Sequence, residues 1–286
     1  MQTDTYYKNT TIKQHDITAS ICLDYFNERL RVDDYRGNIQ SMVKAIHDLI
    51  QQQNFSKVII KARAEHLPEL LSLGFLPEAW FSRYFNGSNC VAMCKYYSNE
   101  RKRSDFWVEE DRIMDQIHSN PPAKQETVLP ESYSVRLAVP EDCTRLAGLY
   151  SKVFEVYPTP MNDSDYIEKT MENGTVYYVI EHQGEVVSAA SADINQTYHN
   201  AELTDCATLP EHRKFGLMKI LIDQLEQELK SRHIYCAYSI ARSLSFGMNA
   251  VFSQRGYLYQ GRLIKNCLIF DKYEDMNLWV KDLSSL

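Results

Sequence analysis

Thr208-Leu209-Pro210-Glu211-His212-Arg213-Lys214-Phe215-Gly216-Leu217-Met218 is the stretch on which the reading of this chain turns. The residues before it, Ala201 to Thr208, alternate as a strand does. Those after it, Leu217 to Leu229, carry apolar side chains at 217, 218, 220, 221, 222, 225 and 229, the spacing of a helix with one buried face. A loop that feeds a helix N-terminus offers free backbone N–H groups and the positive end of the helix dipole, which together suit a diphosphate. Gly216 permits close backbone approach and a positive φ, while Arg213 and Lys214 supply charge for phosphate oxygens. Taken alone, the same residues also describe an ordinary cap on a solvated turn, so the neighbouring elements must decide.

Upstream, Tyr133 to Ala138 alternates as a strand, and Val139-Pro140-Glu141-Asp142 is a helix start with Pro ahead of two acids, leading into a helix through Arg145 to Val153. Val176 to Glu181 and Glu185 to Ala190 read as strands joined by a turn at His182-Gln183-Gly184. Downstream come a strand at Ile234 to Ala241, a short helix at Leu244 to Gln254, Gly256-Tyr257 and a last strand at Leu263 to Phe270. This order predicts an α/β fold around one mixed sheet.

The first block repeats the later part of this order more faintly. Arg36-Gly37 precedes a helical stretch from Ile39 to Gln52, then the strand Val58-Ile59-Ile60, then Leu67 to Leu73 and Gly74-Phe75-Leu76. Asn89-Cys90 with Lys95-Tyr96 parallels Asn266-Cys267 with Lys272-Tyr273. We read an internal duplication whose first copy has decayed. Residues 1–97 form the first domain, and 98–130 a linker containing Arg101-Lys102-Arg103 and Asn120-Pro121-Pro122, with a helix near Phe106 to Ile117. Residues 131–286 form the second domain.

The chain has 286 residues, of which 44% are hydrophobic and 24% charged, enough for real cores in two domains. A formal charge of −7 argues against nucleic-acid or anionic-membrane partners and favours a cationic or amine substrate. The polar N-terminus, with no apolar run of bilayer length, points to the cytoplasm. The seven Cys are scattered and His shows no ligand spacing, so free thiols and no metal are expected.

The segment at 208–218 resembles the coenzyme-A pyrophosphate loop of the GNAT superfamily of N-acetyltransferases, usually [QR]-x-x-G-x-[GA], with Thr208-Leu209-Pro210 similar to the preceding V-x-P. Met218 replaces the final small residue. Phe252-Ser253-Gln254-Arg255-Gly256-Tyr257 is similar to the short helix and G-[FY] that follow in the family. More narrowly, Tyr157-Pro158-Thr159-Pro160, the run Asn200 to Thr208, Gly247-Met248-Asn249, Gly261 to Asn266 and Glu274 to Trp279 resemble the beta-lysine N-acetyltransferase branch. So do Tyr25-Phe26-Asn27-Glu28-Arg29-Leu30 and Asp34-Tyr35-Arg36-Gly37-Asn38 in the first block. The resemblance implies a GNAT fold in the second half and a degenerate GNAT-like first half. It also implies transfer of acetyl from acetyl-CoA to the side-chain amine of beta-lysine, giving a compatible solute.

An amine near pKa 10.4 needs a base before it can attack a thioester. The resemblance places that base among the acids Asp205 and Glu202 on the strand before the loop. Their odd separation predicts opposite faces, and Asp205, nearer the loop, is favoured. Pairing with a neighbouring strand is the structural alternative for either. A backbone N–H of Cys206, Ala207 or Thr208 would meet the oxyanion. Phe215, Leu217 and Met218 join Arg213, Lys214 and Gly216 in the cofactor loop. Phe252 stands where the family often has a Tyr that protonates the departing thiolate, leaving Tyr238, Tyr257 or Tyr259 as substitutes or plain core aromatics. Arg242 is the expected partner of a substrate carboxylate, or merely a cover for apolar surface. Glu155 or Asp193, with Tyr157 and Asn249, would hold the substrate ammonium; Asn266 matches an Asn of the branch. The first half, poor in loop charge, is expected to pack on the second and shape its cleft without a cofactor of its own. A different small amine, polyamine or diamino acid as substrate remains open, as do a non-catalytic acyl-CoA-binding module and a homodimer.

Overall fold

A computed structural model describes residues 6–119 and 127–284, so Asn120-Pro121-Pro122 of the expected linker lies outside the described residues. The first half runs β1 (Tyr7–Lys13), β2 (Ile17–Asp24), β3 (Arg29–Gly37), α1 (Ile39–Gln52), β4 (Lys57–Arg63), α2 (Leu67–Ser72), β5 (Leu76–Phe85) and β6 (Ser88–Tyr96). Two connecting helices follow, α3 (Asn99–Lys102) and α4 (Trp107–Ser119). The second half runs β7 (Tyr133–Leu137), α5 (Cys143–Val153), α6 (Ser164–Glu172), β8 (Val176–His182), β9 (Glu185–Asn195), β10 (Asn200–Thr208), α7 (Leu217–Ser231), β11 (Cys236–Arg242), α8 (Phe246–Gln254), β12 (Leu258–Ile269) and β13 (Lys272–Asp282).

All thirteen strands join one mixed sheet in the order β1-β2-β3-β4-β6-β5-β12-β13-β11-β10-β9-β8-β7. Read inward from β1, the first half is an antiparallel β1-β2-β3 meander, a parallel β3–β4 step across α1, and an antiparallel return through β6 to β5. Read inward from β8, the second half gives the same sequence of senses: β8-β9-β10 antiparallel, β10–β11 parallel across α7, then β13 and β12 antiparallel. The register makes the correspondence residue by residue. Arg31 stands opposite Ile59 in the parallel step of the first half, where Glu202 stands opposite Tyr238 in the second. The paired motifs Asn89-Cys90 and Asn266-Cys267 do not share this correspondence, because the first lies on β6 and the second on β12, which matches β5. Their likeness is a coincidence of composition.

Local chemistry explains the elements that frame the centre. Asn38 caps α1 by accepting from the Ser41 N–H at 2.9 Å, and the helix buries Ile39, Met42, Ala45, Ile46 and Ile50 against Leu30, Val32 and Ile60 of the sheet. At the junction, β5 and β12 touch through Gly261 and Ala79, where Gly261 takes φ +124° and a Cβ would lie 2.4 Å from the Glu78 carbonyl oxygen. Only glycine fits that approach. Around it Lys57, fully buried, pairs with Glu78 at 2.8 Å and donates to the Ile264 carbonyl at 2.6 Å, while Gln260 bonds the Ser82 backbone and hydroxyl. A shared apolar cluster including Phe81, Tyr84, Tyr238 and Leu278 seals the two halves together. The α4 helix expected near 106–117 is present. It buries Met114 and Ile117, leaves Phe106 and Trp107 exposed, and ties down with Asp111 to Arg262 at 2.9 Å.

Candidate active site

Asp205 sits in a bulge. Thr204 pairs with Ser191 and Ala207 with Ala189, so Asp205 and Cys206 together oppose one residue of β9, and Asp205 takes the left-handed φ of +49°. Aspartate tolerates that conformation better than most residues. The extra residue breaks the two-residue alternation, and Glu202 and Asp205, expected on opposite faces, line the same cavity. A second irregularity adds to the opening: the parallel ladder between β10 and β11 stops at Glu202 and Tyr238. Beyond it the strands splay, freeing that edge of β10 through Cys206, Ala207 and Thr208 for a ligand.

The Asp205 carboxylate is buried and held at both oxygens. Ser191 Oγ donates to Oδ2 at 2.6 Å and Tyr157 Oη donates to Oδ1 at 3.2 Å. Burial pushes its pKa up to about 6, with the two hydroxyl donors pulling the other way. Burial lifts Glu202 to about 7; the Lys61 and Arg31 cations restrain it, and Asp193 adds to the rise. Asp193 is raised too, by burial. Neither Asp193 nor Glu202 has a hydrogen bond or ion pair among the described residues, so both acids are available to a cationic ligand. The cavity they line measures about 660 Å³ and draws its walls from both halves of the sheet.

Beside this cavity, Pro210–Phe215 forms a 3-10 turn ending at Gly216, whose φ of +69° opens α7. The turn is braced from β7, where Tyr133 Oη lies 2.7 Å from His212 Nδ1 and its ring packs on Phe215 at 5.5 Å. Arg213 is exposed and donates to the Thr208 carbonyl at 3.1 Å; Lys214 is exposed over the Phe215 ring. Leu217 and Met218 turn into the core, so the bulk of Met218 is spent inside the protein rather than in the loop. A helix start of fifteen residues with a left-handed glycine at its mouth and two exposed cations beside it fits a diphosphate.

Other expected residues fall elsewhere. Arg242 does not line the cavity; it pairs with the buried Glu274 at 2.9 Å and covers the Phe270 ring. Asn249 is fully buried, donating to the Arg242 and Ser245 carbonyls and accepting from Asn277 and Trp279 Nε1, which uses up its amide as a strut. Glu155 is exposed outside the cavity wall. Tyr257 and Phe252 pack edge to face in the core, away from the cavity lining. Tyr157, Asp193 and Tyr238 do line the cavity, and Asn266 reaches it from β12. Tyr259 packs on Trp279 instead.

The sequence reading missed Ser191, Arg31, Asp33 and Lys61. One signal was present: Arg29, Arg31 and Asp33 alternate with Leu30 and Val32, a strand with charge on the face opposite its apolar core.

Splayed parallel strands, a bulge carrying a buried carboxylate and an anion-ready helix start, set side by side, suit the transfer of an acyl group from a diphosphate-bearing carrier. Residues 143–257 match the model of the acetyltransferase (GNAT) family. The chain is 40% identical over 273 residues to N-acetyltransferase YodP of Bacillus subtilis (strain 168), spanning 96% of this chain and 99% of that protein. It is 34% identical over 270 residues to the beta-lysine N(6)-acetyltransferase of Methanosarcina mazei, spanning 87% and 100%. Against the beta-lysine N(6)-acetyltransferase of Methanococcus maripaludis it is 31% identical over 258 residues, spanning 89% and 93%. The chain belongs to the GNAT family of acetyltransferases. GNAT acetyltransferases use acetyl-CoA as co-substrate. No helix among the described residues is long and apolar enough to cross a membrane.

Proposed function

We propose that this enzyme acetylates the side-chain amine of beta-lysine, with Asp205 as the base. The observation that carries the reading is the Asp205 carboxylate, buried, anchored by Ser191 and Tyr157, and raised to about 6, at the bulge where β10 leaves its neighbour. A base poised near neutrality takes a proton from an ammonium without becoming inert itself. The α7 start at Gly216, with Arg213 and Lys214, would hold the diphosphate of acetyl-CoA. The freed amides of Cys206 to Thr208 would polarise the thioester carbonyl. Asp193 and Glu202 offer charge to the second ammonium that a diamino acid carries. Both relatives named for beta-lysine match along nearly their whole length, which supports the substrate class.

In this reading residues 1–97 are a degenerate GNAT-like domain, 98–130 the connection and 131–286 the catalytic domain. The first half has no diphosphate loop: a single residue, Asn38, separates β3 from α1, where eight residues, Leu209 to Gly216, separate β10 from α7. The seven cysteines of the whole chain are all unpaired, six of them buried, which suits a reducing compartment, and we assign the enzyme to the cytoplasm. Thiol release from acetyl-CoA, measured with beta-lysine, lysine and spermidine, tests the proposal. A clear preference for beta-lysine is expected, and equal or better turnover of spermidine would overturn it.

A further inference from the structure

The cavity is asymmetric in charge, and the asymmetry follows the two halves. From the second half come the acids Asp193, Glu202 and Asp205; from the first come Arg29, Arg31, Lys61 and one acid, Asp33. Arg29 is spent, because Asp24 takes its Nε at 2.8 Å and the Asn266 carbonyl takes its Nη1. Arg31 and Lys61 share Asp33. Arg31 meets it through Nε at 2.9 Å and Nη2 at 3.2 Å, and Lys61 at 3.0 Å. Two cations against one carboxylate leave a net positive charge on this wall. Arg31 Nη1 has no hydrogen bond among the described residues. Lys61 also donates to Tyr84 Oη at 2.9 Å, which leaves one ammonium proton free among the described residues. The Arg31 side chain keeps 31% of its surface exposed although β3 is flanked by strands on both sides, because the cavity lies in front of it.

We infer that Arg31 and Lys61, from the half that has lost its cofactor loop, bind the carboxylate of the amino-acid substrate. The inference rests on the proposed beta-lysine reading and names its specificity determinant. A zwitterionic diamino acid then lies across the junction, its carboxylate on the first half's wall and its two amines toward Asp193, Glu202 and Asp205. Asp33 orients both cations and keeps them charged, and burial does not discharge either: both stay protonated far above neutrality. Arg242, the residue the sequence favoured for this role, is closed off by Glu274. A polyamine offers nothing for this wall, so the cationic pair selects against it by leaving its own charge desolvated and unanswered.

The test compares beta-lysine with its carboxamide, which differs only in lacking the anionic charge. With the native enzyme, kcat/KM for the acid should exceed that for the amide by about 10–100-fold, the range of a charge-assisted hydrogen bond. In Arg31→Met and in Lys61→Met the acid should lose most of that advantage, mainly through KM, while turnover of the amide stays within a few fold and so reports that each variant is folded. Equal use of acid and amide by the native enzyme would overturn the inference, as would variants that lose both substrates in proportion. If neither variant is soluble, the native comparison and Arg31→Lys decide, the latter expected to retain part of the preference. Turnover of spermidine but of neither beta-lysine compound would strike at the substrate class itself, an outcome distinct from the loss of acid-over-amide preference.

Discussion

Ser191 Oγ donates to Asp205 Oδ2 at 2.6 Å across the β9–β10 pair, fixing the one carboxylate that the bulge turns into the cavity. Burial raises the pKa of that carboxylate, and this bond moderates the rise. In the native enzyme kcat/KM should fall as pH drops through about 6, because protonation removes the proposed base. Asp205→Asn should abolish that limb and lower kcat by roughly 10²–10⁴, with acetyl-CoA affinity unchanged by calorimetry. Retention of more than a tenth of native kcat would remove Asp205 from its role.

Removing the Ser191 hydroxyl takes away a bond that favours the ionised form. Ser191→Ala should therefore move the acidic limb upward, by roughly half to one pH unit. At pH 8 and above, where Asp205 is ionised in either protein, turnover should recover to near the native value. A pH–rate profile that falls uniformly, with no displacement, would show that Ser191 acts only on geometry.

Glu202 is a half-buried acid with cations in front of it and no bonded partner among the described residues, so its charged form is held at a cost to folding. Its pKa is higher in the folded chain, about 7, than in an unfolded one, so the stability it contributes is complete at low pH and is lost as pH rises from the ordinary carboxylate range through about 7. Glu202→Gln should raise the midpoint of thermal unfolding at pH 8 and leave it nearly unchanged at pH 4.5. A lower midpoint at pH 8 would mean that Glu202 is paired in solution.

Gly216 holds φ +69°, and a Cβ there would meet Thr127 Cγ2 at 3.0 Å. Gly216→Ala should cost about 1–2 kcal/mol in backbone strain and raise KM for acetyl-CoA about tenfold or more, while KM for the amine changes little. Equal effects on both substrates would place the damage outside the loop.

At the junction, Gly261→Val should drive a side chain into the Glu78 carbonyl and Ala79, parting β5 from β12. A loss of several kcal/mol in stability is expected, together with loss of amine turnover before loss of CoA binding in partially denatured protein. Unaltered unfolding would show that the sheet is not continuous there.

Much of the architecture was written in periodicity. α1 occupies Ile39–Gln52 as its spacing and the Asn38 cap demand, and α7 follows Gly216 as the amphipathic run requires. The repeated element order of the two halves was legible for the same reason, although the Asn-Cys pairs read as part of it belong to strands that do not correspond. β13 escaped because Lys272–Asp282 mixes charge and apolar residues on a strand buried on both faces, and α6 because Ser164–Glu172 is mostly polar, with Ile167 its one fully buried residue. The site was harder to read. Its bulge depends on one aspartate adopting a left-handed φ, which no spacing reveals, and a strict count of alternation sent Glu202 and Asp205 to opposite faces. Arg31 and Lys61 were invisible as partners because they lie more than 140 positions before Asp205, and only the joining of β5 to β12 brings them to one cavity.

Arg31 and Glu202 hold matching places on β3 and β10, yet one is a cation and the other an anion. Two identical subunits meeting about a twofold axis could never achieve this, since any side chain placed on one face would recur on the other. Two similarly ordered halves in a single polypeptide are free of that constraint: one side can acquire a taste for anions and the other for amines, and an asymmetric, head-and-tail molecule can then be held in only one direction.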